Sequence, residues 1–178
     1  MLLSKGHAAT ALYAVYAGID VLDDTDVENF CEPESLLQSH PEPPLTLIPT
    51  GSLGNGISIA NGIILASRIR GSTTRVAVVV GDGELNEGSV WEAIATASHH
   101  KLWEIIVLVD ANGRQLSGPS SSIKNMEPLA GKFEAFGWRV FEADNRLEDI
   151  VLALRKCEEW SHSPSVIIVR WDSANRER

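Results

Sequence analysis

The sequence predicts an α/β protein: a parallel sheet with helices packed on both faces. Three observations lead there. The runs Arg75 to Val80 and Ile105 to Val109 are apolar throughout rather than alternating, as strands buried on both faces are. Stretches with helical spacing of apolar residues separate such runs, which is the alternating grammar of a parallel sheet. The composition, 44% apolar and 22% charged over 178 residues, is that of an ordinary globular chain and fits a single domain over residues 1–178.

Taken in order, Ser4 is placed to cap a helix through Ala8, Leu12, Val15 and Tyr16, whose spacing marks one apolar face. An acidic, proline-rich stretch from Asp23 to Pro49 follows, with room for at most a short helix around Val27 to Leu37. The glycine-rich turn Gly51 to Gly56 then opens a helix through Ile57, Ala60, Ile63, Ile64 and Ile69. A strand at Arg75 to Val80, the turn Gly81-Asp82-Gly83, a helix from Gly88 to His100 and a strand at Ile105 to Val109 come next. After a loop from Asp110 to Asn125, the pattern gives a helix near Met126 to Gly137 and a strand at Arg139 to Glu142. A helix from Leu147 to Trp160, a last strand from Val166 to Trp171 and a polar tail from Asp172 to Arg178 complete it. Ligands are then expected at the carboxyl ends of the strands.

The formal charge of −9 argues against a surface built for nucleic acid or an anionic membrane. No apolar run approaches the roughly 20 residues of a membrane span, and the start of the chain has no secretory pattern. Cys31 and Cys157 are far apart and in no ligand-spaced cluster, and are expected to be ordinary, partly buried thiols in a reducing compartment. A cytoplasmic protein is the expectation. His99 and His100 close a helix, where histidine suits the dipole, and are assigned a structural role.

The strongest chemical signal is Gly81-Asp82-Gly83 at the end of one apolar run, with Asn112 just past the end of the next. If those strands are neighbours, a carboxylate and an amide oxygen converge at one carboxyl edge. Magnesium takes oxygen ligands in near-octahedral geometry and commonly shares them between one or two protein groups and phosphates. Asp82, Asn112 and one backbone carbonyl would leave positions for phosphate oxygens and water. Glycines allow close approach of backbone to phosphate, and a helix N-terminus offers amides to the anion. Asp82, Glu84 and Asn86 also mimic the opening of a calcium loop, but the sixth position is Glu87 rather than glycine and the twelfth is Ala93 rather than glutamate. Gly51 to Gly56 resembles a dinucleotide loop only loosely, since no apolar strand precedes it.

Five blocks in order carry a resemblance to the transketolase family: Leu3 to Ala8 (LSKGHA), Ser39 to Glu42 (SHPE), Thr50 to Gly56 (TGSLGNG), Gly81 to Ala93 (GDGELNEGSVWEA) and Asp110 to Gly118 (DANGRQLSG). The chain is similar over nearly its whole length to the N-terminal subunit of transketolases split into two polypeptides. That resemblance implies a thiamine-diphosphate-binding fold, with thiamine diphosphate and Mg2+ as cofactors. It implies Asp82, Asn112 and the Arg114 carbonyl as metal ligands, and Gly81, Gly83, Glu84 and His7 around the diphosphate. It also implies Gly51 and Leu53 as backbone contacts to the aminopyrimidine, and Leu116 packed on the thiazolium. His40 resembles the histidine that bonds substrate oxygens, so that His7 and His40 would steady developing oxygen charge. Glu87 resembles the interface glutamate supporting the partner's activating glutamate.

The activity so implied is transfer of a two-carbon ketol unit from a ketose donor to an aldehyde acceptor, in a heterotetramer whose other component is a pyrimidine-binding subunit. Decarboxylating acyl transfer from a 2-oxo acid, and a non-catalytic structural or regulatory paralogue, are the alternatives. The sequence departs from the family in three places. The Gly-His-Pro segment expected upstream does not occur, and Asn55 stands where glutamine is usual. Arg170-Trp171-Asp172-Ser173-Ala174-Asn175 stands where a Lys-Gly-Lys-Gly-like loop is expected. Family elements are thus expected beyond both ends.

Overall fold

The computed structural model describes residues 1–171; the polar stretch 172–178 lies outside the described residues. Its frame is a five-stranded, wholly parallel sheet formed by β1 (Leu2–Leu3), β2 (Val76–Gly81), β3 (Ile105–Ala111), β6 (Arg139–Asp144) and β7 (Ser165–Arg170), in the order β1-β2-β3-β7-β6. The two apolar runs read as neighbours are neighbours, with Val76 opposite Ile105 and Gly81 opposite Asp110. Strand β7 (SVIIVR) sits between β3 and β6 and is buried over Ser165 to Val169, which is why it reads as continuous apolar sequence.

Helices α3 (Gly56–Ile69), α4 (Gly88–His99) and α6 (Leu129–Ala135) cover one face. Their buried residues Ile57, Ile64, Ile94 and Phe133 pack with Val78, Val107 and Ile168 into the main core. On the other face, α7 (Leu147–Glu158) buries Ala153 and Cys157 against Ile106 and Ile167. Helix α1 (Ala9–Gly18) packs its Ala9 and Tyr13 on Leu22, Leu37 and Leu45 of the irregular segment. Between α1 and α7 a mainly apolar groove of about 340 Å3 stays open over Val79, Leu108 and Val169.

Several boundaries differ from those expected of the sequence, each for a local reason. Ser4 does not cap a helix: α1 starts at Ala9 without a side-chain cap, and the Ser4 hydroxyl is engaged far away in sequence. The short helix in the acidic stretch is α2 (Asp24–Glu28), earlier than expected, because Asp23 and Asp26 form a reciprocal capping box there. The stretch Asp110 to Asn125 is not one plain loop. It contains a hairpin of β4 (Arg114–Gln115) and β5 (Gly118–Pro119), followed by α5 (Ser120–Ile123). Helix α6 begins three residues later than expected, since Pro128 is extended at its N-cap, and a left-handed Gly137 follows it. The two-residue β1 was not expected at all. Cys31 is exposed rather than partly buried, and only Cys157 is enclosed. His100 ends α4 as its C-cap, and its carbonyl accepts from Arg68, in keeping with a structural role.

Candidate functional site

The carboxyl ends of β1, β2, β3 and β7 meet along one edge, where all five sequence blocks come into contact. At the centre lies Glu84, in a 3-10 turn over Gly83–Asn86 and 2% exposed. Its carboxylate accepts from the Ser4 hydroxyl, from the Gly54 amide at 2.8 Å and from the Gly81 amide at 3.4 Å. The Ser4 oxygen in turn accepts from the Gly56 amide at 3.1 Å. A buried carboxylate without a counter-cation is tolerable only when hydrogen bonds satisfy it, and here three donors do so. The result ties the start of the chain, the glycine-rich loop and the turn after β2 into one rigid unit.

The glycine-rich loop is fixed by close approach. Gly54 has φ +89, and a Cβ there would stand 2.6 Å from Ser89 Oγ and 2.9 Å from Glu87 Cβ. Only glycine fits both the backbone and the space. Ser89 Oγ also donates to the Gly54 carbonyl at 3.1 Å. Glu87 is thereby held beside this loop with its side chain exposed, and Gly51 is exposed while Leu53 is half-buried.

Asp82 follows β2 directly and is 9% exposed. Its Oδ2 accepts from the Gly113 amide at 2.9 Å and from Ser120 Oγ at 3.1 Å. Burial raises its pKa above the usual carboxylate value, against the lowering effect of the Ser120, Gly113 and Gly83 hydrogen bonds. Among the described residues no basic side chain forms an ion pair with it. A cavity of about 240 Å3 lies against Asp82, Gly113, Ser120, Lys124 and Arg170.

Asn112 lies just past β3. Its Nδ2 donates to Asp110 Oδ2 at 3.1 Å, and its Oδ1 accepts from the Arg114 amide at 2.9 Å, which leaves that oxygen a second lone pair. In the hairpin Arg114 faces Pro119, which has no N–H, so the Arg114 carbonyl receives no ladder hydrogen bond from that partner. Asp82, Asn112 and this carbonyl thus offer three hard oxygen donors, the set that suits Mg2+ or Ca2+. A group of three or more His, Cys, Asp or Glu side chains arranged for a metal does not occur among the described residues, so additional ligands would have to be carbonyls, water or phosphate.

The turn Gly6–Ala8 brings His7 to the same edge. A Cβ at Gly6 would stand 2.4 Å from Thr50 Oγ1 and 3.0 Å from His40 Cδ2, so the segments holding His7, His40 and Thr50 are in contact. His7 is held below the ordinary histidine value, first by desolvation and then by the charges of Lys5 and His40. Thr50 Oγ1 is buried without a hydrogen-bond partner. Gly83 approaches the hairpin closely: a Cβ there would meet Gln115 Cγ at 2.9 Å. Leu116, at the hairpin's turn, is fully exposed and stands clear of the cluster. Sequence reasoning missed Lys5, Asp110, Ser120 and Thr50 as members of this edge. Lys5, Asp110 and Thr50 lay inside the recognised blocks, while Ser120 gave no signal.

The family description "Transketolase, thiamine diphosphate binding domain" matches residues 1–171. The chain belongs to that family. An uncharacterized transketolase family protein of Sinorhizobium fredii is 40% identical over 172 residues, covering 94% of this chain and 62% of that protein. An apulose-4-phosphate transketolase subunit of Phocaeicola vulgatus is 31% identical, covering 93% of this chain and 60% of that protein. The transketolase of Campylobacter jejuni superposes with a TM-score of 0.86 at 29% identity, covering 95% of this chain and 28% of that one. The chain therefore spans about three fifths of these subunit-sized relatives and about a quarter of full-length transketolases. Within this transketolase domain no helix of the described residues is long and apolar enough to cross a membrane.

Proposed function

We propose that this chain is the diphosphate-binding half of a two-chain transketolase, dependent on Mg2+ and thiamine diphosphate, that moves a two-carbon ketol unit from a ketose donor to an aldehyde acceptor. The observation that carries the reading is the pairing of a buried, cation-free Asp82 carboxylate with the oriented Asn112 oxygen at the sheet's carboxyl edge. The donor set fits the metal: Asp82, Asn112 and the Arg114 carbonyl would hold it, with remaining positions filled by diphosphate oxygens and water. The bound cofactor would supply the carbon nucleophile and the electron sink; the protein supplies orientation and electrostatics.

The remaining assignments follow the same reading. Gly81 and Gly83 let main chain come close to the diphosphate, and Glu84, whose carboxylate is consumed internally, acts as a brace beneath it rather than as a contact. Gly51 and Leu53 meet the aminopyrimidine through their backbones, and the exposed Leu116 is left to pack on the thiazolium. His7 and His40 donate hydrogen bonds to substrate oxygens. With its pKa held low, His7 acts as a neutral donor at neutral pH, steadying oxygen charge that develops in the transition state. Glu87 meets the activating glutamate of the partner.

The partner in this reading is a pyrimidine-binding subunit in a heterotetramer; that a partner exists is supported by relatives that are themselves named as transketolase subunits, two of them for apulose-4-phosphate and one for 6-deoxy-6-sulfo-D-fructose. A cytoplasmic setting agrees with the two unpaired thiols. Calorimetric titration of thiamine diphosphate with Mg2+ tests the reading, using the chain alone and mixed with a pyrimidine-binding subunit. Tight, metal-dependent binding in the mixture, followed by ketol transfer from a ketose phosphate, is expected. Absence of binding in both would overturn it in favour of a non-catalytic subunit.

A further inference from the structure

Asp110, the last residue but one of β3, lies beside the candidate metal ligands and has three donors. Lys5 Nζ lies 2.5 Å from its Oδ2, Asn112 Nδ2 lies 3.1 Å from the same oxygen, and Trp171 Nε1 lies 2.8 Å from its Oδ1. Lys5 is 8% exposed, so its charge is compensated mainly by this contact. An Asn side chain can offer a cation either its oxygen or its NH2 group, and only the oxygen binds. We propose that Asp110 is a positioning residue that fixes the Asn112 amide with its oxygen toward the metal, that Trp171 holds Asp110 in place, and that Lys5 neutralises its charge. The proposal rests on the reading of Asp82 and Asn112 as metal ligands.

The geometry separates orientation from charge. Lys5 and Asp110 together carry no net charge, so the pair adds little attraction for a cation at a distance. What it does add is an acceptor of fixed position for Asn112 Nδ2. The Arg114 amide secures the other end, donating to Oδ1, and with both ends fixed a flip would set NH2 against N–H at Arg114 and oxygen against carboxylate at Asp110. Groups that orient a metal ligand in this manner typically govern affinity by about 10- to 100-fold. The Lys5 link also connects the segment carrying His7 to the metal edge, so the two would form as one unit.

The test uses the full chain labelled with 15N and mixed with an unlabelled pyrimidine-binding subunit, with saturating thiamine diphosphate and increasing magnesium chloride, read from the Asn112 side-chain amide resonances. Lys5→Met keeps the acceptor and removes a positive charge; its magnesium midpoint should equal the wild-type value or fall below it. Lys5→Met/Asp110→Leu keeps the pair neutral but removes the acceptor; its midpoint should rise tenfold or more. Equal weakening in both variants would mark the pair as a mere staple between β1 and β3, and a double variant within twofold of wild type would remove orientation as the cause. Either result overturns the proposal. Before any metal is added, the wild-type Asn112 amide protons should exchange with solvent at least tenfold more slowly than those of exposed Asn125; equal rates would overturn it even if no variant folds. A wild-type Asn112 signal indifferent to magnesium would instead refute the metal reading of Asp82 and Asn112, and this proposal with it.

Discussion

Asp82 is a carboxylate that burial disfavours in its charged form, and the direction of that effect sets how its site responds to pH. Its folded pKa lies above the unfolded one, so its stabilising contribution is complete below the unfolded value and is lost as pH rises through the folded one. At neutral pH the ionised group is a net cost, which a cation relieves. Magnesium binding must conversely displace a proton as pH falls through the raised value. The magnesium midpoint of the wild type should therefore weaken as pH falls from neutral through the raised value, while Asp82→Asn should bind poorly throughout; calorimetry at neutral and at acidic pH checks this, and a pH-independent midpoint would contradict it. The two thiols differ by the same principle. Desolvation pushes Cys157 up to about 11, whereas Cys31 is exposed. Iodoacetamide at pH 8 should label one thiol in the native chain and two in denaturant, as counted by mass spectrometry. The placing of Asp82, Asn112 and Gly83 at the carboxyl edge of the sheet was legible because they stand next to apolar runs. The bond between Ser4 and Glu84 was not, since residues 80 positions apart leave no local pattern.

Among the elements, the glycine-rich loop and the helix it opens invite a direct comparison. Gly54→Ala would force a side chain into left-handed backbone and against Ser89 and Glu87, and should lower unfolding stability by about 1 to 3 kcal/mol in urea titrations. Gly62, inside α3, is exposed with nothing near its absent Cβ, so Gly62→Ala should instead raise stability by about 0.5 to 1 kcal/mol. Opposite signs are the expected outcome; a destabilised Gly62→Ala would show that another surface closes on α3. The same contrast explains which elements the sequence announced. β2, β3 and β7 are announced by unbroken aliphatic runs, and α3 and α4 by periodicity, because burial dictates their composition. β1 and the β4-β5 hairpin are two residues long in each strand, too short for any period, and are held by pairing to distant or turn-linked partners. α2 is set by its capping box, not by an apolar face, which placed it earlier than hydrophobicity suggested.

At the scale of the whole molecule, the edge joins pieces contributed by all five sequence blocks to a single parallel sheet, so ligand binding there should be read by the stability of the entire domain. The metal's candidate ligands from the protein leave positions that only a diphosphate or water can fill, and the diphosphate's negative charge would sit beside the ionised Asp82 unless a cation lies between them. Each therefore needs the other. Either component alone should bind weakly, whereas the two together at about 100 times their joint dissociation constant should contribute about 2.7 kcal/mol. For a domain of this size about 1 kcal/mol moves Tm by roughly 2 to 4 °C, so the pair should raise it by about 5 to 10 °C. A thermal melt with magnesium, with thiamine diphosphate and with both separates the cases. A rise only with both, absent in Asp82→Asn, is the signature of a shared site. An equal rise with thiamine diphosphate alone would mean that backbone amides hold the diphosphate without the metal, and that Asp82 serves the hairpin through Gly113 and Ser120 instead.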